Sequence, residues 1–273
     1  MKNIEFPIVL IHGQPGSSHD WDKVISLLKP LGTPRIFAPD RPGYTLDKPQ
    51  AMSVGANARW LYTNLENKGI EKPILVAHSF GGAIALSFAL QFPSKLSAIV
   101  LISSSGTRSG LSYFDHILAF PGMGEFVAAT SILFAQKLIP LLESSPSPSS
   151  LPIVGQFLKN IPSQLVQDLP KSWLGLKLRS SPVWKSFAYE QRCLVKETPQ
   201  LENSLPTIDI PISVIHGLED EIISIQAGLD LARHLPKANL VPIANRGHFL
   251  PYEDPEVIVE TIKNIQIQIL NGV

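Results

Sequence analysis

Nucleophilic chemistry in this chain would begin at a serine. Ile74-Leu75-Val76-Ala77-His78-Ser79-Phe80-Gly81-Gly82 is an apolar run that stops abruptly at a hydroxyl and continues as a helix-like segment over residues 83–91. A strand that turns sharply into a helix forces the residue at the turn into strained backbone angles, and its flanks must be small so that the two elements do not collide. Ala77 and Gly81 meet that need. The pattern small-x-Ser-x-small is that of a nucleophile elbow, which exposes the hydroxyl above a sheet and points the next backbone N–H, that of Phe80, at the same space. Attack of Ser79 on a carbonyl carbon is the expected chemistry.

The elements that must hold such a residue can be read on either side of it. Residues 8–11, Ile-Val-Leu-Ile, form a continuous apolar run bounded by Pro7 and His12-Gly13, the pattern of a strand buried on both faces. Apolar residues at helical spacing follow over 21–28, and residues 35–38 read as the next strand. A helix is expected from Ser53 to Asn67, with Ser53 as N-cap and Gly69 just beyond its end. Residues 97–102, 212–215 and 238–243 read as further strands, and 255–270 as a closing helix. Regular alternation of strand and helix argues for a parallel sheet wound on both sides. It breaks between about Thr107 and Leu205, where short apolar helical patterns such as 126–142 surround a Ser/Pro-rich connector at 144–150.

The elbow, with what precedes and follows it, resembles the α/β-hydrolase superfamily. Ala77 stands where the usual pattern has Gly, a change that sterics tolerate. His12-Gly13-Gln14 is similar to the family's His-Gly-x loop, so the resemblance assigns the backbone N–H of Gln14 as second donor of the oxyanion hole, beside that of Phe80. His12 itself reads as a loop brace whose ring bonds nearby backbone. The Gln14 side chain could also donate to a polar substrate group. Asp40-Arg41-Pro42-Gly43-Tyr44 is similar to the turn after the family's next strand, although Thr45-Leu46-Asp47 replaces its usual Gly-x-Ser continuation; Asp40 and Arg41 read as a structural ion pair or loop brace. His216-Gly217-Leu218-Glu219-Asp220-Glu221 matches the segment in which the family carries its acid, which implies Asp220, with Glu219 and Glu221 as rivals. Asn245-Arg246-Gly247-His248-Phe249 lies where the family keeps its base, which implies His248. The order Ser79, Asp220, His248 is that of this fold's triad. His78 is expected to face the core, and His19, His116 and His234 carry no partner motif.

The resemblance implies an α/β-hydrolase fold: a mostly parallel central sheet flanked by helices, with an inserted helical cap. The core would comprise 1–106 and 206–273, and the cap 107–205. Only about a dozen residues precede the first His-Gly loop, so the family's opening antiparallel hairpin is expected to be missing or reduced to Ile4-Glu5, giving fewer than eight strands. An apolar cap implies an apolar substrate chamber that excludes water, although any one residue, such as Trp173 or Phe187, reads first as packing.

Composition narrows the function further. With 23 basic and 23 acidic residues in 273 and a pI near 7.1, there is no electrostatic footprint for nucleic acid or anionic membranes. A single cysteine, Cys193, excludes an intramolecular disulfide, and zinc-ligand spacings are absent. The N-terminal residues carry no signal-peptide pattern and no apolar run is long enough to span a bilayer, so a soluble, cytoplasmic protein is expected. The reading is a serine hydrolase needing neither cofactor nor metal and acting on a small apolar ester or lactone; its oligomeric state is open. Carbon–carbon bond hydrolysis, perhydrolysis or proline-iminopeptidase-like cleavage on the same triad stay open, as does a receptor-like member with slow turnover. A serine at the elbow argues against dehalogenase or epoxide-hydrolase chemistry, which needs a carboxylate nucleophile.

Overall fold

A computed structural model describes residues 5–32, 35–44, 50–124, 126–127, 130 and 181–271. Six parallel strands form one sheet: β1 (Ile8–Ile11), β2 (Ile36–Phe37), β3 (Ile74–His78), β4 (Ala98–Ile102), β5 (Ile212–Gly217) and β6 (Ala238–Ile243), in the order β2-β1-β3-β4-β5-β6. Among the described residues the count is below eight, as expected, and Glu5 is not in a strand. Three strands differ in length from the sequence reading, β4 only in starting at Ala98 instead of Ser97. β2 spans only two residues at the sheet edge, and β5 runs through His216 to Gly217 because those residues pair with Pro242 and Ile243 of β6.

Side chains alternate across the pleat and build two cores. Val9, Ile11, Leu75, Ala77, Ile99, Leu101 and Val214 face one side, where α2 (Val54–Asn67) and α3 (Phe80–Gln91) cover them. Ile8, Leu10, Ile74, Val76, Val100 and Ile102 face the other, covered by α1 (Asp22–Leu28) and by the C-terminal Pro255–Asn271 helix. Every residue of β1, β3, β4 and β5 is buried, which is why these strands read as unbroken apolar runs. α2 begins where expected: Ser53 Oγ accepts from Ala56 N–H at 3.3 Å, and Gly69 takes φ 60° past its end. The 21–28 pattern divides into a 3₁₀ turn, Ser18–Trp21, and α1.

α3 is largely apolar on all sides because it is buried on all sides; residues 80–89 are all buried. Its first turn is wedged between two strand ends. A Cβ on Gly81 would lie 2.5 Å from the Ile11 carbonyl oxygen, and one on Gly82 would overlap the Ser104 hydroxyl. Only glycine permits that approach.

After β4 the chain forms α4 (Tyr113–Ala119), and it returns to the sheet through α5 (Ser181–Ser204), which packs against α2, α3 and α4. α5 corrects the expectation of short helices here. It runs 24 residues with Pro199 inside it, and Phe187 on it is half-buried, edge-on to Trp184. The 144–150 connector and Trp173 lie outside the described residues, as does the 126–142 pattern apart from Phe126, Val127 and Thr130. Further helices are α6 (Ile225–His234), α7 (Leu250–Glu253) and α8 (Pro255–Asn271).

Because the chain runs from β1 outward to β2 and then back across to β3, the strand order reverses at β1/β3. In open parallel sheets, the crevice beyond the carboxyl ends at such a reversal is where ligands bind. The loop after β1 and the turn after β3 carry Gly13-Gln14 and Ser79 to that place.

Candidate active site

Ser79 occupies the β3–α3 turn with φ 54° and ψ −124°, a conformation that non-glycine residues adopt only when the surroundings enforce it. Backbone bonds do so here: Ser79 N–H donates to Ile102 O (3.0 Å), and Ser79 O accepts from Ser105 N–H (3.1 Å) and Gly82 N–H (2.9 Å). Although Ser79 stands at the N-cap of α3, its hydroxyl makes no capping bond. The Phe80 N–H belongs to the first helical turn, whose donors have no intrahelical acceptor.

Asp220 follows β5, and its two oxygens have separate tasks. Oδ1 accepts from the N–H groups of Ile222 (2.9 Å) and Ile223 (2.8 Å), which fixes the carboxylate plane; Oδ2 accepts from His248 Nδ1 at 2.9 Å. Burial pushes this carboxyl up, but the His248 hydrogen bond and charge, with the Ile223 N–H, outweigh it and hold it below the usual carboxylate value. Glu219 and Glu221, the rivals, are exposed.

His248 lies on the loop between β6 and α7. Gly247 N–H donates to Glu253 (3.0 Å), and Glu219 N–H donates to Arg246 O (2.9 Å), tying this loop to the acid turn. Gly217 lets the two backbones meet, since a Cβ there would overlap the carbonyl oxygens of Arg246 and Gly247. His78, next to Ser79, completes the junction: its Nε2–H donates to His248 O at 2.8 Å, and the two rings lie 4.8 Å apart. The structure thus brings Asp220 and His248 into direct contact and sets His248 beside the elbow through His78. Among the described residues no hydrogen bond joins the Ser79 hydroxyl to the imidazole.

His78 and His216 are both buried, which disfavours the charged form of each ring. Burial, reinforced by His248, lowers His78 from 6.5 to about 3, and burial also lowers His216, whose Nε2–H donates to Ile223 O at 2.8 Å. An unfolded chain protonates His78 near 6.5 whereas the folded chain does so only near 3, so the unfolded state binds more protons between 6.5 and about 3, and His216 adds to the effect in the same direction. Stability should therefore fall on acidification through that window, by about 1.4 kcal/mol per pH unit from a single such ring. Urea denaturation at pH 7.5 and 5.5 checks this; His78→Gln should make the dependence shallower.

The loop after β1 touches the elbow directly. A Cβ on Gly13 would sit 2.8 Å from that of Ser79. His12 is the brace the sequence suggested: its Nε2 accepts from Arg41 N–H at 3.0 Å, so Nδ1 carries the proton and donates to Gly13 O at 2.8 Å. Asp40 and Arg41 do brace loops, but not as an ion pair with each other. Asp40 Oδ1 accepts from Ser18 N–H at 2.7 Å, whereas the buried Arg41 pairs with Glu190 of α5, which Tyr44 also reaches through its hydroxyl at 2.6 Å. Arg41 further donates from Nε to His12 O (3.1 Å) and from Nη2 to Gly13 O (2.8 Å), and its guanidinium lies over the Phe80 ring. Burial raises the Glu190 carboxyl against the pull of Arg41; Glu190 in turn keeps Arg41 charged in spite of its burial.

Sequence reasoning missed His78 and Glu190. For His78 the neighbouring serine drew the attention, and a ring bonding a carbonyl 170 residues away leaves no local trace. Glu190 was findable: it falls on the buried stripe Val183, Glu190, Leu194, Thr198 and Leu201, where a carboxylate requires a partner. No cluster of His, Cys, Asp or Glu among the described residues could hold a metal ion, and no helix among them is long and apolar enough to cross a membrane.

Known proteins give the same fold. A 2-hydroxymuconate semialdehyde hydrolase of Pseudomonas putida is 25% identical over 268 residues, covering 95% of this chain and 86% of its own. Among solved structures, a thermophilic esterase from Thermogutta terrifontis superimposes with a TM-score of 0.69 at 19% identity, over 98% of this chain and 92% of its own. A meta-cleavage product hydrolase from Pseudomonas fluorescens gives 0.69 at 20% identity, over 99% and 92%. Residues 7–255 match the family defined by the alpha/beta hydrolase fold, and the chain belongs to that family.

Proposed function

We propose that the chain is a serine hydrolase that cleaves a small, largely apolar carboxylic ester or lactone through an acyl-enzyme intermediate. One observation supports this above the rest: a serine strained at φ 54° whose hydroxyl is bonded to none of the described residues, beside a histidine whose Nδ1 is bonded to a buried aspartate. With Nδ1–H engaged by Asp220, Nε2 of His248 is the free base. Ser79 Oγ bonds to the carbonyl carbon as its proton passes to Nε2, and the carbonyl π pair moves to oxygen. Collapse of that oxyanion expels the leaving alkoxide, which takes the proton from Nε2. Water then repeats the sequence on the acyl-serine and releases the acid. In this reading the Ser79–His248 bond closes as substrate enters, since catalytic hydrogen bonds commonly tighten in the substrate complex. The N–H groups of Phe80 and Gln14 receive the oxyanion, each worth about 3 kcal/mol by comparison with other holes.

Residues 107–205 serve in this reading as a cap over the site, seated through α5 on α2 and α3. An apolar roof keeps water from competing until the acyl-enzyme has formed.

Carbon–carbon hydrolysis is the second reading, favoured by the likeness to the muconate semialdehyde and meta-cleavage hydrolases. A dienoate substrate carries a carboxylate that wants a cation. Arg41, buried against the His12-Gly13 loop, is already neutralised by Glu190, which supports the uncharged ester. A fluorophosphonate should label the protein once, on the peptide carrying Ser79, as read by mass spectrometry. A panel of p-nitrophenyl esters of graded chain length, lactones and a 2-hydroxy-6-oxodienoate should then show fastest turnover on the apolar esters. Failure to label Ser79 would remove the proposal.

A further inference from the structure

We infer that Arg41 is a positioning residue for the oxyanion hole: it locks the Gly13–Gln14 peptide with its N–H toward Ser79, and Glu190 makes that lock depend on the seating of α5. The inference rests on the proposed hydrolase reading and concerns a residue that does not itself touch the substrate.

The geometry is that of a peptide gripped from behind. Gly13 O accepts two hydrogen bonds, from Arg41 Nη2 and from His12 Nδ1, each 2.8 Å long. Among the described residues the one cis peptide is Gln14–Pro15, so the Gly13–Gln14 bond is trans and its N–H points opposite to its carbonyl. Holding the oxygen on the Arg41 side therefore aims the Gln14 N–H away from Arg41. Gly13 packs against Ser79 so closely that a Cβ would lie 2.8 Å from the serine Cβ, which puts this peptide at the nucleophile. Two donors on the carbonyl also polarise the amide and make its N–H a stronger donor.

Arg41 supplies nearly the whole grip. Its backbone N–H fixes the His12 tautomer through Nε2, which leaves the Nδ1 proton for Gly13 O; its Nε holds His12 O; and its Nη2 holds Gly13 O. The guanidinium is itself held by Glu190 from α5, by the Tyr44 and Phe80 rings, and through Glu190 by the Tyr44 hydroxyl. A planar fork with five donors can bind two carbonyls and a carboxylate at once; an ammonium cannot. If α5 shifts, Glu190 leaves, and an unpaired guanidinium must re-solvate and release the loop.

The test compares two variants on two ligands. Arg41→Lys keeps the charge but loses the fork, and Glu190→Gln keeps the volume but loses the countercharge. An alkyl trifluoromethyl ketone adds to Ser79 and places an oxyanion in the hole, whereas the matching methyl ketone binds only as a ground-state ligand. With thermal unfolding confirming a folded protein, Arg41→Lys should lose about 10- to 100-fold in kcat/KM at little change in KM, as expected for a misplaced donor. Affinity for the trifluoromethyl ketone should fall by the same factor, and affinity for the methyl ketone should stay put. Glu190→Gln should follow in the same direction with a smaller loss, and it carries the test should Arg41→Lys fail to fold. An unchanged ratio of the two ketone affinities in the folded variants would overturn the inference, leaving Arg41 as a staple between α5 and the core. A wild-type protein that does not prefer the fluorinated ketone would instead overturn the hydrolase reading itself.

Discussion

Ser79→Ala should abolish turnover of p-nitrophenyl esters, lowering kcat by about 10⁵- to 10⁶-fold, the scale seen when a serine hydrolase of another fold loses its nucleophile. On the proposed mechanism, removing Oγ removes the acyl-enzyme and leaves only the oxyanion donors and substrate positioning. The fold should be unaffected. The hydroxyl makes no capping bond, and the strained turn is held by the backbone N–H and carbonyl of residue 79, which alanine retains. Alanine tolerates φ 54° no worse than serine, so unfolding temperature should match wild type within about a degree or two for a change below 0.5 kcal/mol. Steady-state rates, fluorophosphonate labelling and thermal unfolding together check the expectation. Retained ester hydrolysis would defeat the assignment.

Asp220→Asn should be nearly as damaging, about 10⁴-fold in kcat, and for a subtler reason. The carboxamide can still accept the Ile222 and Ile223 N–H groups through one oxygen, so the turn after β5 should keep its shape. What it presents to His248 is an NH₂ donor in place of Oδ2. The imidazole must then turn its unprotonated nitrogen to position 220 and its proton toward Ser79, which leaves no base for the hydroxyl. KM should change little while kcat collapses. Glu219→Gln and Glu221→Gln are the matched controls, because both side chains are exposed; each should stay within about twofold of wild type, as surface changes do. A large loss in either control, with Asp220→Asn active, would reassign the acid.

The parts legible in the sequence were those with local physical causes. Strands buried on both faces announced themselves as unbroken apolar runs, Ser53 and Gly69 marked the limits of α2, and the small flanks Ala77 and Gly81 marked the turn at Ser79. Asp220 and His248, implied by the resemblance from segments 28 residues apart, meet at 2.9 Å. What stayed hidden depends on contacts between remote segments: the bond from His78 to the His248 carbonyl, and the partner of Arg41, which proved to be Glu190, 149 residues onward, and not its neighbour Asp40. The length of α5 was hidden for a different reason. Pro199 and the polar residues on its open face mask a helix whose order comes from the surface it covers.

Sheets that are all parallel still end somewhere, and both rims of this one are poor templates for another chain. On one side β2 offers two residues, too few to nucleate pairing; on the other, Pro242 near the end of β6 withholds a donor from any strand that would add there. The inner strands, among the most apolar stretches of the chain, are thereby shielded from runaway self-association by the margins themselves.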